Sequence, residues 1–191
     1  MPGTWLAIAV DAHADFIWTP AAQLESKSHD DELWQYYLDT AVHFDHSDLR
    51  GAVVPESQAV GEQPPFGPLH VVTAVQPDAD PDSIESHTRI VILDDELRVA
   101  GTRFVRAVGT ALDGTHAEES RAVFGLTDEE ARRLGRRFGQ VAVFAWHGPR
   151  WSLLACVGDR HCHRGWRWEP GAGREATPGA RGADGRTETS E

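Results

Sequence analysis

Val108-Gly109-Thr110-Ala111-Leu112-Asp113-Gly114-Thr115-His116-Ala117-Glu118-Glu119-Ser120 is a glycine-punctuated polar stretch. Strand-like sequence flanks it, Thr102 to Val108 (TRFVRAV) before and Ser120 to Phe124 after, so it reads as a loop joining two strands. Loops held by a rigid scaffold are where binding and catalysis concentrate. The fold therefore turns on what surrounds this pair.

Upstream, Leu69 to Val75 (LHVVTAV) is an apolar run suited to a buried strand, closed by Gln76-Pro77. Asp78, Asp80 and Asp82 follow, and Asp82 with Glu85 resembles a capping pair. The spacing predicts a helix from Ser83 to Ala100, with Ile90, Leu93 and Leu97 on one face and Gly101 as its stop. Downstream, Thr127 and Glu130 have capping-box spacing, Ala131, Leu134 and Phe138 line a helical face, and Gly139 ends the helix. Val141 to Trp146 is a strand, His147-Gly148-Pro149 a turn, and Trp151 to Val157 the hairpin partner.

Between 69 and 146 the order is thus strand, helix, strand, strand, helix, strand. This predicts an α+β two-layer sandwich: a ferredoxin-like βαββαβ unit with a mostly antiparallel sheet, two helices on one face, and extra strands. In that topology the first two strands end, and the last two begin, on one sheet edge. Gln76, Gly109, Glu118 and Gln140 stand at those points, His116, Glu119 and Ser120 lie in the loop between, and the first helix brings His87 and Arg89 near. A carboxylate and an imidazole at one edge suit proton transfer, so Glu118 and His116 are the candidate catalytic pair. Gln76, Arg89, Gly109, Ser120 and Gln140 are candidate ligand-binding residues. Arg89 and His116 would meet negative charge on the ligand, while Ser120 and Gln140 would orient it.

A chain of 191 residues holds one ordinary domain, here assigned to 32–157. Residues 1–31 form an N-terminal extension, in which Trp5 to Val10 is a short strand and Asp11-Ala12-His13-Ala14-Asp15 a plain turn. Glu32 to Asp45 (ELWQYYLDTAVHFD) is aromatic-rich and alternates like a strand in its second half. Gly51, Pro55, Gly61, Pro64, Pro65, Gly67 and Pro68 mark 47–68 as a long irregular connection. Residues 158–191 read as a largely disordered tail, because beyond Trp168 there is nothing to bury.

The net charge of -12 argues against binding nucleic acid, whose backbone selects a basic surface. No run approaches the roughly 20 apolar residues of a membrane helix, and the expected address is the cytoplasm. Cys156 and Cys162 do not make a disulfide framework. With His161 and His163 they give a C-x5-C and H-x-H spacing foreign to zinc sites, so no metal is expected there. The sequence names no cofactor.

The segment from about Tyr37 to Cys156 resembles a bacterial family known only as a domain of unknown function, family 3293. The resemblance rests on Val71-Val72-Thr73-Ala74-Val75-Gln76-Pro77, on the G-x4-G-x-H-x-E-x-S of Gly109 to Ser120, and on Gly125-Leu126-Thr127 through Arg137-Phe138-Gly139-Gln140-Val141-Ala142-Val143-Phe144. It implies that Arg89, Glu118, Ser120 and Gln140 are site residues. Gln76 and His87 stand where the family has asparagines, and Arg121 where it has an aromatic residue. Two functional expectations follow: a small polar-ligand pocket at the strand-end edge, binding or acid/base in chemistry, or a protein–protein interaction module without catalytic activity.

Overall fold

The computed structural model describes residues 12–171, apart from 48, 59 and 60. A short 3-10 turn (Ala12–Asp15) leads to helices α1 (Ala21–Ser28) and α2 (Asp31–Leu38). Strands β1 (Thr40–His46), β2 (Leu49–Glu56) and β3 (Leu69–Val72) follow, then α3 (Ile84–Val99), β4 (Phe104–Ala111), β5 (Ala117–Phe124) and α4 (Asp128–Arg137). The chain ends with β6 (Ala142–His147), β7 (Arg150–Ala155) and β8 (His161–Pro170).

The eight strands close into an antiparallel barrel in the order β1-β2-β8-β7-β6-β3-β5-β4. This corrects the expected open two-layer sandwich. The four strands of the predicted βαββαβ unit do lie side by side, β6-β3-β5-β4, but as an arc of a closed wall. The other half of the wall comes from β1, β2, β7 and β8, and β1 seals it by pairing with β4 from Thr40↔Ala111 to Phe44↔Ala107.

Two stretches read as irregular supply that closure. Within 47–68, Gly51 and Pro55 lie inside β2 rather than breaking it. At Gly51 (φ +149°) an added Cβ would lie 2.4 Å from the Trp168 ring, so glycine is what lets β2 pass under that indole. Past residue 157, where the domain was expected to end, β8 pairs with both β2 and β7. The alternation Trp166, Trp168 against Arg167, Glu169 is a half-buried strand pattern that the surrounding Gly and Arg obscure. Helices α1 and α2 also belong to the packed body, through buried Leu24, Trp34 and Leu38. The expected strand at Trp5 to Val10 lies outside the described residues.

Each strand contributes a buried side chain to one cluster, among them Val42, Val53, Leu69, Val105, Ala122, Trp146, Trp151 and Trp166. A cluster touched by every strand is the barrel interior. At its centre Trp146 stacks on Phe44 and Trp168 and meets Trp151 and Trp166 edge-on. A second cluster lies outside the wall, where α3 and α4 bring Ile90, Leu93, Leu97, Ala131 and Phe138 onto Val72, Val123, Val143 and Ala145. Thr127 caps α4 with a complete capping box, and the acids Asp128, Glu129 and Glu130 suit its N-terminal dipole.

Candidate functional site

The aromatic residues fill only part of the interior. Where β3 and β4 end and β5 and β6 begin, a cavity of about 200 Å³ remains, with α2 lying across it. Small residues leave the space: Thr40, Gly109, Ala111, Ser120 and Ala142 border it, where the opposite half has tryptophans. Its apolar lining includes Val71, Phe144 and Leu153, and α2 adds Tyr36 and Tyr37.

The predicted loop is shorter than expected, because β4 runs on to Ala111 and β5 starts at Ala117. Asp113 closes the turn, its Oδ1 accepting from the Thr115 amide (3.0 Å) and hydroxyl (2.7 Å), with Gly114 at φ +74°. Gly109 and Glu118 are therefore not loop residues but direct partners across the β4–β5 ladder. Strand alternation then sends Glu118 and Ser120 inward and Glu119 and Arg121 outward.

Six of the seven predicted site residues border this one cavity: Gln76, Gly109, His116, Glu118, Ser120 and Gln140. Arg89 does not. It is buried on α3 beneath the N-terminal segment, its guanidinium 4.9 Å from the Phe16 ring and 4.6 Å from Trp18, with Glu85 as its ion-pair partner. His87 is exposed on α3, and Glu119 faces outward to Arg106 and Arg121.

Among the six, Gln76 has no spare polar capacity. Its Oε1 accepts from the Thr19 amide and hydroxyl, and its Nε2 donates to the Ala74 and Phe138 carbonyls, which ties the N-terminal segment to the end of α4. Gln140 differs. Its Nε2 donates to the Val75 and Phe138 carbonyls, while its Oε1 has no partner among the described residues. Ser120 is buried, and its hydroxyl reaches only the Glu118 carbonyl, at a long 3.4 Å.

His116 Nε2 lies 3.6 Å from Glu118 Oε2, and both side chains are partly exposed. The Glu118 carboxylate favours the imidazolium and lifts the His116 pKa above its ordinary 6.5 against the opposing effect of burial. Tyr36 meets the imidazole edge-on at 6.1 Å. Burial, with the Glu118 charge behind it, raises the Tyr37 pKa well beyond the usual phenol range, so its hydroxyl is a fixed neutral donor. That hydroxyl has no hydrogen-bond partner among the described residues. The two tyrosines went unassigned at the sequence level. Their only signal is adjacency on a short helix, where a tyrosine is more often packing than contact.

The six cavity residues share a second property. Residues 72–143 match the family model described as "Protein of unknown function (DUF3293)". The chain is similar to DUF3293 over that span, which runs from the end of β3 into β6 and holds all six. Tyr36, Tyr37 and Leu153 lie outside the DUF3293 match. No curated protein and no solved structure matches the chain. No helix among the described residues is long and apolar enough to cross a membrane.

Proposed function

We propose that the cavity takes a small organic ligand, which it binds or acts on by proton transfer, with His116 and Glu118 as the proton-exchanging pair. The observation that carries this reading is an ion pair, the under-used hydroxyls of Tyr37 and Ser120 and a free amide oxygen gathered around a largely apolar space. Buried polar groups are ordinarily satisfied within the protein, and those lining this cavity are satisfied incompletely. A cavity of about 150 Å³ accommodates a benzene-sized molecule, so this one suits a ligand of slightly more than that bulk.

The spare groups define its chemistry. Glu118 and Gln140 Oε1 accept hydrogen bonds, Tyr37 donates one, and Ser120 can do either. With Arg89 outside the cavity, the only cationic group bordering it among the described residues is His116, which is already paired with Glu118. The lining therefore favours a compact, partly apolar molecule bearing N–H groups, an amine or amide, over a polyanion.

Glu118→Gln is the discriminating variant. The Glu118 side chain has no partner other than His116 among the described residues, so the change should leave stability nearly intact. A thermal-shift screen of small amines, amides and carboxylic acids would supply the ligand. A true ligand at 100 times its dissociation constant adds about 2.7 kcal/mol of stability, and Glu118→Gln should remove that gain. A flat response across the amines and amides would defeat the reading. So would an unfolded Glu118→Gln, which would make the carboxylate architectural.

A further inference from the structure

On the outer wall, away from the cavity, two histidines and an aspartate from three separate elements converge. His70 lies in the middle of β3 opposite Ala145 of β6, and His147 is two residues beyond Ala145, so both project from the same face. Asp128 is the first residue of α4, directly after its Thr127 cap. His70 Nε2 is 2.8 Å from Asp128 Oδ1, His147 Nε2 is 3.8 Å from that same oxygen, and the two imidazole rings are 5.0 Å apart. One donor atom from each residue lies within 4.8 Å of the other two.

We propose that His70, Asp128 and His147 form a binding site for a divalent transition-metal ion of the imidazole-preferring class. The donor set decides the class. Two imidazole nitrogens and one carboxylate suit zinc, nickel, cobalt or iron, whereas magnesium and calcium call for an all-oxygen shell. Spacing agrees. Tetrahedral zinc with bonds of about 2.0–2.1 Å separates its ligands by roughly 3.3 Å, and the two measured separations from Asp128 straddle that value. Closing on an ion needs a shift of about half an ångström in each, and the two ligand nitrogens, which lie within 4.8 Å of each other, must approach by up to about 1.5 Å, a movement open to the surface side chain of His147.

A bare helix N-terminus with a histidine hydrogen bond would explain His70 and Asp128, but not His147. Its Nε2 is buried, turned toward the carboxylate and without a hydrogen bond among the described residues. His70 is fully buried, which fixes one ligand rigidly, while His147 and Asp128 stand at the surface, where an ion can enter. Rigid support with one solvent-facing side is what a three-ligand site requires. Only Asp128 of the three falls within the matched residues 72–143, so the site is independent of that family likeness.

The test is isothermal titration of the full chain with zinc chloride, repeated with cobalt(II) to read its visible absorption. One ion should bind saturably, and cobalt should develop the absorption of a nitrogen- and oxygen-ligated centre. His147→Ala and Asp128→Asn should each weaken binding by at least about tenfold. Neither substitution empties a buried position, and the second keeps an oxygen for His70 to bond. His163→Ala is the control, because His161 and His163 are a neighbouring imidazole pair with rings 5.3 Å apart, and it should change nothing. Failure to bind zinc below about 100 µM, an affinity unaltered by His147→Ala, or a loss on His163→Ala instead, would each overturn the assignment.

Discussion

Replacing Arg121 with methionine tests both the stability of the wall and the register that aims Glu118 into the cavity. Arg121 is buried on the outer face of β5. Its Nε and Nη2 grip the Asp94 carboxylate of α3 at 2.5 and 2.9 Å, and Nη1 donates to Glu119 Oε1 at 3.0 Å and to the Ser120 carbonyl at 2.9 Å. Methionine retains the apolar stem but strands Asp94, whose side chain is 14% exposed and whose remaining cation is Arg98 at 3.6 Å. Removing one partner of a buried pair costs about 3–5 kcal/mol. The Arg98 contact and the residual exposure of Asp94 reduce that to about 2–3 kcal/mol. Glu119 adds little, because Arg106 still holds it at 3.1 Å.

In urea, with a slope of about 2 kcal/mol per molar, the midpoint should fall by roughly 1–1.5 M with the slope unchanged. Adding Asp94→Leu should restore about half of the loss or more, since the double variant leaves no unpaired charge. A midpoint shift under about 0.3 M, or a double variant as damaged as the sum of its parts, would refute the reasoning. A one-residue slip of β5 would carry Arg121 into the barrel and Glu118 out of it.

Other outcomes follow from the same geometry. Burial pushes the Cys156 thiol up to about 12, so at pH 8 a maleimide should label the folded protein once, at the half-buried Cys162, and twice in denaturant; two adducts on the native protein would contradict the placement of Cys156. Thr127→Ala removes the hydroxyl arm of the capping box, leaving the backbone amide of residue 127 to donate to Glu130, and should cost about 1 kcal/mol by urea titration; a loss below about 0.3 kcal/mol would mean that the cap is redundant. The His116 pKa is higher folded than unfolded, so its stabilising contribution is complete below the ordinary 6.5 and fades as pH rises through the folded value. An NMR titration should therefore place the His116 midpoint above 6.5 in the wild type and lower in Glu118→Gln; a midpoint indifferent to that substitution would remove the pair.

The sequence carries the segment 69–146 well and its surroundings poorly. Capping signals are local chemistry, and Thr127–Glu130 and Gly101 mark helix ends without reference to the rest of the chain. Barrel closure is not local. It depends on β1 meeting β4 and on β8 lying between β2 and β7, and neither pairing leaves a mark within either strand. Gly51 and Pro55 read as breakers because their use, passing beneath Trp168 and continuing a curved strand, exists only once β8 is present. The six cavity residues were legible because the strand order β6-β3-β5-β4 sets their convergence, whether that arc is open or closed. Arg89 was not, since proximity in sequence to the helix start says nothing about which side of α3 it leaves. The His70–Asp128–His147 group was missed for a related reason: its members are 19 to 77 positions apart and match no spacing motif.

The cavity also bears on why this barrel is filled unevenly. The interior of an eight-stranded barrel is just wide enough for side chains to fill it, and half of this one is packed with indole rings. In the other half the small side chains of Thr40, Gly109, Ala111, Ser120 and Ala142 stand among larger ones and leave about 200 Å³. At about 24 cal/mol per Å³, an apolar void of that size would cost on the order of 5 kcal/mol, a large share of the roughly 5–15 kcal/mol that holds a domain folded. Solvation of the polar lining lowers that cost but does not abolish it. Gly109→Leu puts the argument to measurement, because a Cβ at Gly109 meets only Thr40 Cγ2 at 3.4 Å and the Glu118 carbonyl at 3.9 Å, so the rest of the side chain can extend into the space. If the space is kept open for a ligand, filling it should hold or raise the melting temperature and abolish binding. A strongly destabilised Gly109→Leu would mean that the room is not there.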